Sequence, residues 1–184
     1  MTQSNAHNIH DDSVASDDYP QFEEKISSFL HYKQSFILHP EMWASLKLTE
    51  KLEWNSVPFG VDPSHVPEIM GVYAFVLSIH QDFFPINGYI MYIGKCGAEN
   101  QSTNRTIRKR YTEYLKEKVK LKRPRIYDMV NKWKDNLYFT FAEIKKTDRI
   151  GYTEDQLINS IIPPANAADF KAEIRNFVTL AYGY

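Results

Sequence analysis

Gly71-Val72-Tyr73-Ala74-Phe75-Val76-Leu77-Ser78-Ile79 and, ten residues on, Tyr89-Ile90-Met91-Tyr92-Ile93-Gly94 are the stretches that decide the fold. Both are rich in β-branched and aromatic residues and too short for helices, so each reads as a strand. Asn87-Gly88 in the connection is a turn signal, and the pair reads as an antiparallel hairpin with a long loop. Paired strands lie about 4.8 Å apart, so Tyr73 and Tyr92 share a face if the register permits. Downstream, Ile107, Tyr111, Leu115 and Val119 recur every fourth residue and predict a helix with one buried face. Arg123-Pro124 interrupts it, a short helix is expected over 126–133, and 137–144 reads as a third strand. Thr153-Glu154-Asp155-Gln156 has a capping-box pattern, opening a helix that Pro163-Pro164 ends. A last amphipathic helix is expected over 167–180. The order ββααβαα predicts an α/β domain over 71–184, with a small three-stranded antiparallel sheet flanked by helices.

Upstream, residues 1–18 are acidic, polar and poor in large apolar groups, which predicts a flexible tail. A helix is expected to start near Tyr19-Pro20, with Phe22, Ile26, Phe29 and Leu30 as its apolar stripe. The whole 19–70 segment, punctuated by Pro40, Pro58, Pro63 and Pro67, reads as an extension packed on the following domain. With 184 residues, 43% of them hydrophobic, the chain can build one substantial core. No apolar run approaches the roughly 20 residues of a membrane helix, so no membrane partner is expected. The N-terminus lacks the basic start and apolar block of a secretory signal. The lone Cys96 excludes an intrachain disulfide and the cysteine-based zinc clusters, and a cytoplasmic setting is the expectation.

The formal net charge is −1, but it is unevenly spread. Six acids precede the first Lys or Arg, Lys25, and twelve Lys and Arg face three acids between Asn104 and Lys134. Such a patch attracts phosphate even on a near-neutral protein, although a solvated helical face explains it equally well on charge alone.

Several residues carry candidate chemistry, each with an ordinary structural alternative. Tyr73 and Tyr92 are common strand residues. Lys95 either reaches phosphate or is simply solvated. Arg110 and Tyr114, four apart, share a helical face bordering the core stripe, where an arginine fork suits a phosphate oxygen. A salt bridge from Arg110 to Glu113 or Glu117 is the plainer alternative. Glu154 in the first turn of its helix either complements the helix dipole or serves as the single carboxylate that Mg²⁺ needs. Asn166 is either the N-cap of the last helix or a residue that orders the site by hydrogen bonding.

Taken in order, Gly71-Val72-Tyr73, Tyr92-Ile93-Gly94-Lys95, the Arg110 helix, Glu154 and Asn166 resemble a GIY-YIG nuclease domain. The family includes homing endonucleases, restriction enzymes and the incision subunit of bacterial excision repair. The resemblance covers about residues 71–166. The stretch 108–115 looks like the family's arginine helix, with Arg110 at the place of the catalytic arginine and Tyr114 at that of a supporting His or Tyr. Val72 replaces the usual isoleucine, and the spacing between the tyrosines is lengthened by a loop containing Phe83-Phe84-Pro85. The resemblance implies a metal-dependent DNA endonuclease, restriction-like or repair-like, with catalytic residues Tyr73, Tyr92, Lys95, Arg110, Tyr114, Glu154 and Asn166. It further implies Glu154 as the ligand of Mg²⁺ or Mn²⁺, and a homodimer if both strands are cut. Arg108, Lys109, Lys116, Lys118, Lys120, Lys122, Arg123 and Arg125 are the expected nucleic-acid contacts. The competing expectations are an inactive nucleic-acid-binding module of the same fold, and a structural protein whose tyrosines lie far from Arg110 and Glu154.

Overall fold

The computed structural model describes residues 19–78, 88–97, 105–117, 123–166 and 169–183. The acidic tail at 1–18, most of the hairpin loop with its Phe83-Phe84-Pro85, and Val119 lie outside them. The chain forms two compact units, divided between Gln34 and Ser35. The described part of the first contains helix α1 (Tyr19–His31), whose Phe22, Ile26, Phe29 and Leu30 are exposed.

The second unit runs α2 (Pro40–Ala44), β1 (Trp54–Pro58), a 3₁₀ turn at Pro63–His65, β2 (Gly71–Ser78), β3 (Gly88–Cys96), α3 (Ile107–Glu117), α4 (Pro124–Lys132), β4 (Leu137–Glu143), α5 (Thr147–Ile161) and α6 (Ala172–Tyr182). Its sheet is antiparallel and has four strands in the order β1-β4-β2-β3, not the three expected. The extra strand comes from the 19–70 segment and pairs with β4 from Trp54↔Ala142 to Pro58↔Tyr138. It escaped the sequence reading because it is a sheet edge. Only Val57 of its five residues is even partly buried, so no apolar alternation marks it.

Both faces of the sheet are covered. On one, Tyr73 and Phe75 of β2 and Phe139 and Phe141 of β4 pack against Ile107, Tyr111 and Tyr114 of α3 and Ile126, Met129 and Val130 of α4. On the other, Val72, Ala74, Ile93 and Ala142 meet Ile150, Leu157 and Ile158 of α5 and Val178 of α6. The 35–70 region contributes to both cores, for example through Phe59 and Val66 on the first and Met42 and Leu46 on the second. β2 is therefore central and buried throughout most of its length, as its unbroken apolar sequence anticipates.

Two helix starts differ from expectation. α5 begins at Thr147, six residues before the apparent capping box, so Glu154 stands in mid-helix and owes nothing to the N-terminal dipole. Thr153 is buried in the helix interior, where the Thr-x-x-Gln pattern serves packing and not capping. α6 begins at Ala172, not 167, and its N-cap is Lys171, not Asn166.

Candidate active site

The site is built around the β2–β3 register. Tyr73 lies opposite Gly94 and Phe75 opposite Tyr92, after which the pairing shifts by one so that Val76 faces Ile90. The extra residue is Met91, a β-bulge. The bulge puts Ile90 and Ile93 on the α5 face while Tyr92 turns to the α3 face beside Tyr73, their ring centroids 6.3 Å apart. Gly94 leaves space for the ring opposite it: a Cβ there would lie 2.4 Å from the Tyr73 hydroxyl oxygen. That ring stacks on Phe139 and is 1% exposed, so it has nowhere to retreat. Gly94→Ala is expected to destabilise the fold by about 1–3 kcal/mol through overpacking. A thermal melt indistinguishable from wild type would refute this.

Tyr73 and Tyr114 share a hydroxyl–hydroxyl hydrogen bond of 2.9 Å, and Arg110 donates from Nε to the Tyr73 oxygen at 2.9 Å. The Arg110 guanidinium also lies 4.9 Å from the Tyr114 ring centroid and donates from Nη1 to Glu113 Oε2 at 2.9 Å. Tyr114 is completely buried, so it belongs to the core stripe and not to the helix border expected for it. Leu115, read as core, is only partly buried. The Arg110 side chain keeps 17% of its surface exposed. Burial pushes the Tyr73 hydroxyl well above its ordinary value, with Tyr114 and Tyr92 adding to the shift and Arg110 opposing it. Tyr92 is raised by burial too, then by Tyr114 and Asp169, against Arg110. Both tyrosines are thus neutral hydroxyls near neutral pH, able to donate and accept hydrogen bonds.

Lys95, one step beyond Gly94, points to the opposite face and forms an ion pair with Glu154 of α5. Burial raises the Glu154 carboxyl above its ordinary value, Lys95 opposes that rise, and Asp155 and Asp169 reinforce it. Asn166, fully buried, lies along the free edge of β3. Its Oδ1 accepts from Ile93 N at 2.8 Å, and its Nδ2 donates to Ile93 O at 2.7 Å and to Asp169 Oδ2 at 3.0 Å. One residue earlier, Ala165 N donates to the bulge carbonyl of Met91 at 2.9 Å. The segment thereby closes the strand edge as a short pairing partner.

The constellation straddles β3: Tyr73, Tyr92, Arg110 and Tyr114 on the α3 face, Lys95 and Glu154 on the α5 face, Asn166 at the edge between them. Buried Cys96 feels both sets. Burial pushes its thiol up to about 12, Arg110 and Arg105 pull it down, and Glu113 and Glu154 raise it. Tyr73 is bonded to Arg110, unlike the remote tyrosines of the structural alternative, while Glu154 lies on the other face of the sheet from both tyrosines.

Among the described residues no group of three His, Cys, Asp or Glu side chains could hold a metal ion. A single carboxylate is nevertheless compatible with Mg²⁺, which retains most of its water ligands. Glu154 fits that requirement, because its carboxylate already accommodates a positive charge, the Lys95 ammonium, at a partly open position.

The other expected nucleic-acid contacts divide. Arg123 lies 4.5 Å from the Tyr114 ring centroid, on the site side. Lys109 and Lys116 are exposed on α3, and Arg125 is half-buried on α4. Arg108 points elsewhere: its Nε donates to Val66 O at 2.6 Å and its Nη1 pairs with Glu68, pinning the segment after the 3₁₀ turn. Lys118, Lys120 and Lys122 lie outside the described residues. Asp169 and Arg105 were not singled out from sequence. Asp169 acts on Tyr92 and Glu154 only through the chain's return past β3, and Arg105 precedes the helix whose periodicity drew attention.

No protein-family model, curated protein or solved structure matches this chain.

Proposed function

We propose that this chain is a metal-dependent endonuclease of the GIY-YIG type that hydrolyses phosphodiester bonds in DNA, in a restriction-like or repair-like role. The observation that carries the reading is the hydrogen-bonded Arg110–Tyr73–Tyr114 cluster on one side of β3 with Glu154 and Lys95 on the other. A buried tyrosine hydroxyl takes a hydrogen-bond partner in any core, and an arginine in that place is also the immobile cation beside neutral donors that phosphoryl chemistry needs.

In this reading Arg110, fixed at Nε by Tyr73, offers the remainder of its fork to the non-bridging phosphate oxygens and stabilises the charge gathering on them. Tyr73 and Tyr114 act on the reaction by holding that fork. Tyr92 is half-buried and faces the same side, placing its hydroxyl to orient an attacking water. Either Tyr73 or Tyr92 can be the general base only if its hydroxyl is brought down from the raised value it has here. Glu154 would hold Mg²⁺ or Mn²⁺, with Lys95 passing from the carboxylate to the substrate phosphate. When bound, that ion supplies charge neutralisation at the phosphate. Asn166 keeps the Tyr92-Ile93-Gly94 backbone in place.

One such centre cuts one strand, so double-strand cleavage would require a homodimer. The test is Mg²⁺-dependent cleavage of supercoiled, relaxed and branched DNA, resolved into nicks and double-strand breaks. Nicking that EDTA abolishes is the expected result. DNA retention without nicking would favour the inactive binding module. Among the described residues no helix is long and apolar enough to cross a membrane.

A further inference from the structure

Arg110 is not alone at the mouth of the site. Arg105, just before α3, donates from Nη2 to the same Glu113 Oε2 that accepts from Arg110 Nη1. Two guanidiniums therefore converge on one carboxylate oxygen, leaving a net positive cluster. We propose that Glu113 is an internal stand-in for a substrate phosphate, and that Arg105 and Arg110 clamp a backbone phosphodiester once Glu113 swings away. The proposal rests on the nuclease reading and adds Arg105 to its binding residues.

The chemistry favours exchange. A phosphodiester presents two non-bridging oxygens, one for each guanidinium, where Glu113 makes both share a single atom. Glu113 is 42% and Arg105 34% exposed, so nucleic acid can reach both and water weakens their pairing. The Glu113 carboxyl itself feels burial upward, but its bonds to Arg105 and Arg110 hold it below its ordinary value, so it remains an anion at neutral pH. Arg110 does not depend on Glu113 for its position, because Tyr73 holds its Nε. Arg108 is unsuited to the same role, being bonded to Val66 and Glu68.

The test is fluorescence anisotropy of the full chain with a short fluorescein-labelled DNA duplex in EDTA, over a range of KCl, for wild type, Arg105→Gln and Glu113→Ala. Arg105→Gln is expected to make the slope of log affinity against log salt shallower by about 0.9, one phosphate contact, and to weaken binding severalfold. Glu113→Ala is expected to bind DNA severalfold more tightly, because a competitor for the clamp is gone. Wild-type affinity and slope in Arg105→Gln, unchanged or weaker binding in Glu113→Ala, or no binding by wild type would each overturn the clamp. Thermal melts confirm folding, and both side chains are exposed enough that neither change disturbs the core. Plasmid nicking in Mg²⁺ separates the two ideas. A wild type that nicks while Arg105→Gln binds like it overturns the clamp but keeps the nuclease. A wild type that does not nick, with the binding changes as expected, supports the clamp and rejects the nuclease.

Discussion

Glu154→Gln and Arg110→Ala are each expected to lower Mg²⁺-dependent nicking by about 10²-fold or more, with both proteins still folded. The two losses have different origins. Arg110 is fixed by hydrogen bonding to a buried tyrosine pair, and its loss removes a preorganised donor from the transition state. Losing such a contact lowers kcat and kcat/KM together, because the interaction is strongest at the transition state. Arg110→Lys is expected to recover little, since an ammonium cannot donate to Tyr73 and to phosphate with a planar fork. Glu154→Gln keeps the side-chain shape but removes the charge that attracts both Lys95 and a divalent ion. Its signature is therefore a loss of Mn²⁺ binding by calorimetry as well as of activity. Full activity in either purified variant would remove the site as described.

Asn166→Leu is expected to cost on the order of 3 kcal/mol of stability. The substitution preserves volume, yet it leaves both the N–H and the C=O of Ile93 without their side-chain partner at a buried strand edge. Each unsatisfied buried backbone group costs about 1–3 kcal/mol. For a domain of this size, that total lowers the melting temperature by roughly 6–12 °C. Asp169→Ala is the informative control, because it removes only the exposed carboxylate and spares the Ile93 bonds. It is expected to change stability by less than about 1 kcal/mol, as surface changes usually do. Equal melting of Asn166→Leu and wild type would show that the β3 edge is held by Ala165 alone. Activity should fall with stability in Asn166→Leu, since Ile93 joins Tyr92 to Gly94.

The candidate site was legible in sequence where residue type and short spacing carry it, and obscure where the chain must fold back to assemble it. Arg110 and Tyr114 sit four apart on α3, and one helical turn brings them together without help. Glu154 and Asn166 were visible as residues but misplaced as structure. A Thr-x-x-Gln pattern looks the same at a helix start and in a helix interior, and only the packing of α5 on the sheet buries Thr153. Asn166 has the ordinary profile of an N-cap, and nothing local indicates that its partner is Ile93, 73 residues away.

By itself, the sequence determined the α/β class, the hairpin, the α3 helix and the set of polar residues available to a site. These follow from local composition, turn residues and the 3.6-residue period, which are properties of neighbours in the chain. The tertiary structure alone decided the fourth strand, whose exposed edge leaves no pattern, and the bulge at Met91, which turns Tyr92 toward Tyr73. It also decided that Lys95 and Glu154 lie across β3 from Arg110. The physical reason is common to all of them: each depends on the register and side of a strand, and one residue of slip exchanges every side chain between the two faces of the sheet.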